Sequence, residues 1–253
     1  MSDADPPAPP SQVQELTGIS PAELFDLSGW QHRDLFAGCT YAWEALPRVP
    51  EYLESVLRPG IRGEVEPGAY VSGDVEVAEG ARIESGAYIR GPALIGPGTE
   101  VRHGAYIRGN VLTGTGCVIG HASECKSAIF LDQSKAPHFA YVGDSILGAD
   151  VNLGAGVRLA NLKVLPGSVA VRLADGTTID TGMLKLGAVI GDGTQIGCNA
   201  VTSPGTIIGR ECVIYATISL QGTVPAGSVV TWRPEVSTRP RRQAAGRRSF
   251  PAR

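Results

Sequence analysis

Residues 85–102 read SGAYIRGPALIGPGTEVR, and residues 103–120 follow directly as HGAYIRGNVLTGTGCVIG. The two stretches have the same length, open almost identically and carry aliphatic residues at intervals of six. Outward from them the comb runs through Val65, Val71, Val77, Ile83, Ile89, Ile95, Val101 and Ile107, with Thr113, Ile119, Cys125 and Leu131 continuing it. It resumes at Leu147, Leu153, Leu159 and Leu165, and again as Ile190, Ile196, Thr202, Ile208, Ile214, Leu220, Ala226 and Trp232. An amphipathic helix needs spacings of three and four, which this comb lacks. A period of six gives one inward side chain per short strand, and three such strands close one triangular coil of a parallel β-helix. Residues one coil apart then stack at about 4.8 Å on one face. About eight coils fit between residues 61 and 236 once the interruptions are set aside.

The rest of the composition agrees with a turn-rich, all-β chain. There are 33 glycines and 18 prolines among 253 residues, and only 6% aromatic residues, so tight corners outnumber large core side chains. No apolar run is long enough to span a membrane, and MSDADPPAPPSQVQ lacks the basic and apolar regions of a secretory signal. The cysteines Cys39, Cys117, Cys125, Cys198 and Cys212 are odd in number and form no CxxC, which fits free thiols in a cytoplasm. Residues 239–253 hold six arginines and no acid, so the remainder carries −9 against −3 for the whole chain. A solvated tail, or one that meets a phosphorylated ligand, is expected there, and no nucleic-acid partner.

The expected organisation is a disordered tail over 1–18, a helical lead-in over 19–60, the β-helix over 61–236 and a flexible basic tail over 237–253. In the lead-in, SPAELFDL begins a helix with Ser20 as N-cap and Pro21 in the first turn. WEALPRVPEYLESVL gives a second helix ending at Arg58. Both are expected to cap the first coil, whose strand edges would otherwise be open.

Two interruptions stand out. Leu131 to Leu147 is sixteen residues, read as two hexads with four inserted residues that carry the chain off the coil and back. The interval from Leu165 to Ile190 contains SVAVRLADGTTID, alternating residues about an Asp175-Gly176 turn, which reads as a β-hairpin inserted at about 166–184. Loops that break a solenoid usually build its binding site. His138 and Tyr141 lie in the first interruption, Asn152 and Asn161 follow, and Lys185 closes the second.

Three cations recur at one-coil spacing, Arg90, Arg108 and Lys126. Stacked like charges are unfavourable, so either an anion lies among them or neighbours such as Glu84 and Glu124 neutralise them. His103 and His121 also stack. They raise a metal site, but no histidine follows at the short spacing of a three-histidine pattern, so a wet surface pair is favoured. Tyr70, Tyr88 and Tyr106 form an outward ladder, suited to packing between subunits or against the N-terminal segment.

The stretch APHFAYVGDSILGADVNLGAGVRLAN, residues 136–161, resembles the acetyltransferase domain of the bifunctional UDP-N-acetylglucosamine pyrophosphorylase/glucosamine-1-phosphate N-acetyltransferases. The shared pattern is H-x-x-Y-x-G-D, then N-x-G-A-G, then N. The resemblance implies a left-handed hexapeptide-repeat β-helix. It assigns His138 as general base, and Tyr141 and Asn152 to the amino-sugar phosphate. Asn161 is assigned to the acetyl transfer, and Arg108, Lys126 and Lys185 to the phosphate. On the acetyl-CoA side it points to Ala155, to Cys198 where the family has serine, to Ala216 and to Arg233.

What the resemblance implies is an acetyl-CoA-dependent N-acetyltransferase for a glucosamine-1-phosphate or galactosamine-1-phosphate type of substrate. Such an enzyme is cytoplasmic, a homotrimer with sites shared between subunits, and needs no metal. The sequence departs from the family in two ways. No G-x-G-type sugar-nucleotide loop precedes the β-helix, so uridylyl transfer is not expected. The long interval from Asn161 to Lys185 resembles the C-terminal β-helices of archaeal sugar-1-phosphate nucleotidylyltransferases, and its hairpin would either reshape sugar specificity or cover the site. Two other readings stay open: a non-catalytic oligomerisation or partner module for a separate nucleotidyltransferase, and acyl transfer to another amine or hydroxyl.

Overall fold

In a computed structural model, residues 18–232 and Thr238 are described. The two expected tails, and with them Arg233, lie outside the described residues apart from Gly18 and Thr238.

Twenty-six short strands form three parallel sheets of nine, nine and eight strands, which is eight complete coils and two sides of a ninth. Sheet I runs from Gly60–Ile61 to Thr223–Val224, sheet II from Glu64–Val65 to Val229–Val230, and sheet III from Tyr70–Ser72 to Ser219–Leu220. Each coil passes through sheets I, II and III in turn, as a left-handed hexapeptide-repeat β-helix does. The comb residues fill the prism: Val77, Ile83, Ile89, Ile95, Val101, Ile107 and Ile119 are fully buried. Thr113 is also inward, and its hydroxyl is satisfied because Oγ1 accepts from Gly96 N at 2.8 Å and donates to Leu94 O at 3.3 Å. A buried hydroxyl without such partners would cost a few kcal/mol.

The first interruption is not an insertion. Thr113 lies beside Phe130, and Phe130 beside Leu147, so the coil here has seventeen residues rather than eighteen. The inward positions after Cys125 are Phe130, Ala136, Val142 and Leu147. Two five-residue steps replace the expected detour, and both fall where sheet III turns into sheet I. The corner Gly109-Asn110 of the preceding coil is reduced to Ser127 in one coil and Asp144 in the next, both with positive φ (45° and 46°). The stretch around His138 is thus regular coil, with strands Lys135–His138 and Tyr141–Gly143. Leu131, expected inward, is buried on the outside of sheet I, whereas Leu165 and Trp232 are 74% and 66% exposed. At the far end Val224 and Val230 take the inward positions opposite Ile208 and Ile214.

The lead-in does not lie over the end of the first coil; it lies along the outer face of sheet I. Leu94, Leu112, Ile129, Ile146, Val189 and Ile207 form an outward apolar column there. Phe25, Trp30, Phe36, Trp43 and Leu53 bury against it. The first helix, Pro21–Leu24, has the expected cap: Ser20 Oγ accepts from Glu23 N, and the Glu23 carboxylate takes the Gly18, Ile19 and Ser20 N–H groups. The second segment is split by Pro47 and Pro50 into a 3-10 turn, Ala42–Arg48, and an α-helix, Val49–Val56. One end of this strap meets coil seven, where Asp192 Oδ2 accepts from Asp26 N at 2.7 Å and Asp192 N donates to Leu24 O at 3.0 Å. The other end meets coil two, where Arg58 N donates to Glu76 at 2.7 Å. The hairpin, Ala170–Arg172 with Thr178–Asp180, covers the same sheet further along through Val169, Val171 and Leu173. Sheet I is therefore sheathed, and sheets II and III are open.

His32 is buried in the strap, with Nδ1 3.0 Å from Tyr52 Oη. Burial pushes its pKa below the ordinary histidine value, against the weaker opposing pull of Asp132 and Glu76. The unfolded chain then binds more protons than the folded one in the acid range, so this contribution is complete above the unfolded pKa, about 6.5, and is lost as pH falls through the lower folded value. Thermal midpoints should fall between about pH 7 and pH 5, and fall less in His32→Phe. Equal pH responses in the two proteins would refute this source.

Candidate active site

The candidate residues stand on two corners of the prism. At the turn from sheet II to sheet III, His121 is the register partner of His138. Continuing the registers of the neighbouring strands gives one column: His103, His121, His138, Ala155, Cys198 and Ala216. Backbone bonds step along it, from Phe139 N to His121 O (2.8 Å), Gly156 N to His138 O (3.0 Å), Asn199 N to Ala155 O (2.9 Å) and Thr217 N to Cys198 O (2.9 Å). His103 and His121 are stacked with ring centres 5.7 Å apart, and each Nδ1 lies against a carbonyl of the preceding coil. Among the described residues, no group of three His, Cys, Asp or Glu side chains is placed to hold a metal ion. The His138 side chain is exposed, and its neighbour Phe139 has φ 53°, a rare conformation for a bulky residue.

Above His138 the column bears small side chains, and its flank is bare backbone. A Cβ added to Gly154 would lie 2.6 Å from Cys198 N, and one on Gly197 would lie 2.5 Å from Ala216 N. Beyond the histidine the column thus carries no large side chain, and the backbones of successive coils approach closely beside it. Cys198 is an exposed free thiol in this column, while Cys117 and Cys125 are buried.

At the turn from sheet III to sheet I, a polar cluster forms. Lys126 Nζ donates to Asp144 Oδ2 at 2.8 Å, and Asn161 Nδ2 donates to the same oxygen. Tyr141 Oη donates to Asn161 Oδ1 at 3.5 Å. The tyrosine reaches this corner because Gly143 lies between: a Cβ there would be 2.6 Å from Tyr141 Oη. Lys185 is set beside the cluster by its bridge to Leu162 and by Leu186 N donating to Asn161 O at 3.0 Å. One coil before Lys126, Arg108 pairs with Glu124 at 2.6 Å. The cation column Arg90, Arg108 and Lys126 therefore exists, and acids meet two of its three members.

The structure thus gathers Lys126, Tyr141 and Asn161, with Lys185 and Arg108 alongside. It does not gather all seven proposed catalytic and acceptor-side residues. His138 is on the far edge of sheet III, and no hydrogen bond among the described residues joins it to the cluster. Asn152 lies on the outer face of sheet II, between Lys135 and Gln195. Asp144 is a member that sequence reasoning left without a role: in a coil shortened to seventeen residues the register partner of Lys126 is Gly143, and Asp144 stands at the corner just past it.

Fold and corners together define a hexapeptide-repeat β-helix with a column of small side chains beyond His138 at one corner and a polar cluster at another. The family described as the GMPPB C-terminal domain matches residues 89–184. The chain is 44% identical over 196 residues to the bifunctional protein GlmU of Methanococcus maripaludis, covering 78% of this chain and 47% of that protein. It is 42% identical over 92 residues to the bifunctional sugar-1-phosphate nucleotidylyltransferase/acetyltransferase of Sulfurisphaera tokodaii, 36% of this chain and 23% of that protein. The solved acetyltransferase domain of PglB from Neisseria gonorrhoeae, in complex with acetyl coenzyme A, is 15% identical with a TM-score of 0.31, over 65% of this chain and 52% of that one. The chain spans about half the length, or less, of the curated relatives it matches. It resembles the β-helical acetyltransferase portion of the bifunctional sugar-1-phosphate enzymes. Among the described residues, no helix is long and apolar enough to cross a membrane.

Proposed function

We propose that this chain transfers an acetyl group from acetyl-CoA to the amine of an amino-sugar phosphate of the glucosamine-1-phosphate or galactosamine-1-phosphate type. The product would serve nucleotide-sugar or cell-envelope precursor synthesis in the cytoplasm. The observation that carries the reading is the column in which His138 is followed by Ala155, Cys198 and Ala216, with Arg108, Lys126 and Lys185 gathered about the opposite edge of sheet III.

His138 accepts a proton from the attacking amine, because only the free amine is nucleophilic. The nitrogen adds to the thioester carbonyl, the C–S bond breaks, and the proton leaves with the thiol sulfur. Arg108, Lys126 and Lys185 hold the phosphate, and Tyr141 and Asn152 the sugar, so that binding becomes orientation. The Asn161 amide or the backbone N–H near Ala155 steadies the oxyanion, a role whose loss typically costs about 100-fold or more. Ala155, Cys198 and Ala216 let the pantetheine arm lie against the coil, and Arg233 is assigned to the coenzyme phosphates.

His138 and the Lys126 corner stand at opposite edges of sheet III. A second copy placed against the open sheets would bring one chain's histidine to another's cations, which supports a homotrimer with shared sites. The Tyr70, Tyr88 and Tyr106 ladder, 39–50% exposed, lies on that face.

A second reading has one observation in its favour. Arg108 and Lys126 are already matched by Glu124 and Asp144, as in a surface that binds no anion. The β-helix would then be an oligomerisation or partner module for a separate nucleotidyltransferase.

The deciding assay supplies acetyl-CoA with each amino-sugar phosphate and follows free thiol. Thiol release that depends on the sugar phosphate is expected. Lys126→Ala should raise the KM for the sugar phosphate at least about tenfold with little change in that for acetyl-CoA. Silence of the wild type on every amino sugar tested would favour the module reading.

A further inference from the structure

We propose that Asp144 is the positioning residue of the acceptor site, a role that rests on the function proposed above. Its carboxylate gathers two donors from different coils onto one oxygen, Lys126 Nζ and Asn161 Nδ2. Its backbone is stitched to both neighbouring coils: Asp144 N donates to Lys126 O at 3.0 Å, and Asp144 O accepts from Gly187 N at 2.8 Å. The side chain is only 14% exposed and that of Lys126 only 19%. The carboxylate is therefore held rigidly at a corner shortened to one residue.

Two consequences follow for the groups that meet a ligand. An ammonium has three N–H bonds. With one committed to Asp144, Lys126 is held in one place and keeps two for a phosphate. The Asn161 amide has two ends that would otherwise exchange. With Nδ2 on Asp144 and Oδ1 facing the Tyr141 hydroxyl, it has one orientation, and one N–H is left over. Asp144 thus decides where both donors point. The acid opposite the cation is an aiming device, and it leaves donors free for the anion.

The test uses Asp144→Asn and Asp144→Gly. Asn and Gly both accept the positive φ of this corner, so the backbone is preserved. Either variant should lower turnover about 30- to 100-fold, with the KM for acetyl-CoA unchanged. Asn161→Ala should cost far less in the Asp144→Gly background than alone, because the amide there has lost the acceptor that directs it. Independent, multiplying losses would overturn the proposal. A second readout needs no substrate. In isotope-edited spectra, the Asn161 amide proton held by Asp144 should be shifted and slow to exchange in the wild type, and ordinary in Asp144→Gly. An unchanged amide signal would also overturn the proposal. If the wild type shows no turnover at all, the acetyltransferase reading fails separately, and the amide signal still decides whether Asp144 orients Asn161.

Discussion

His138→Ala should lower turnover about 100- to 10,000-fold while leaving calorimetric binding of acetyl-CoA and of the sugar phosphate within about twofold. The split follows from position. The His138 side chain is exposed and its ring makes no hydrogen bond among the described residues, so its loss removes a proton acceptor and little packing. Its column neighbours keep their backbone bonds in the variant, since Gly156 N donates to the His138 carbonyl and not to the ring. A parallel loss of binding would mean that the histidine holds substrate and does not take its proton. Undiminished turnover would remove it from the chemistry.

The largest stability effect is expected at Phe130. It is fully buried and is the largest side chain that is. It also stands at the first shortened corner, between Thr113 and Leu147 in the coils on either side. Phe130→Ala should cost about 3–5 kcal/mol, since the rigid coils on both sides cannot close on the cavity. For a chain of this size that lowers the thermal midpoint by roughly 10 °C. Calorimetry of the two proteins measures it, and a shift of no more than a degree or two would show that the prism can collapse inward. Phe130→Leu should recover most of the loss, because it restores most of the buried volume.

Phe130 also shows where the sequence was legible and where it was not. The period of six is enforced by geometry, since each strand contributes one inward side chain, so the β-helix and its eighteen-residue stacking could be read directly. A step of five breaks the count without breaking the coil. Counting by six through Cys125 lands on Leu131, which is apolar for another reason: it supports the strap on the outside of sheet I. Two buried layers share one strand there, and spacing alone does not say which of two adjacent apolar residues faces which. The hairpin was legible because alternation around Asp175-Gly176 is a local signal. The path of the lead-in was not, because its partners, such as Asp192, are remote in the chain. At the site, one-coil spacing brought out Lys126, whereas the roles of Tyr141 and Asn161 came from the resemblance carried by residues 136–161. The role of Asp144 needed the register: the seventeen-residue coil sets Gly143 beside Lys126 and leaves Asp144 at the corner, where one carboxylate oxygen meets both donors.

The strap has a consequence for how the molecule comes apart. A bare solenoid touches only its nearest repeats, so it can unravel coil by coil from either end. Here Asp26 holds Asp192, 166 residues away, while Arg58 holds Glu76. Coils two to seven are thereby bound as if by a spine along one side of a stack of pages. Fraying is confined to coil one and to those beyond Asp192, and everything between opens as a single cooperative unit. During synthesis, the Leu24–Asp26 end of the strap must wait for the seventh coil to be made. The fold thus exchanges the fast, local assembly of a repeat protein for the slower closure of one long loop.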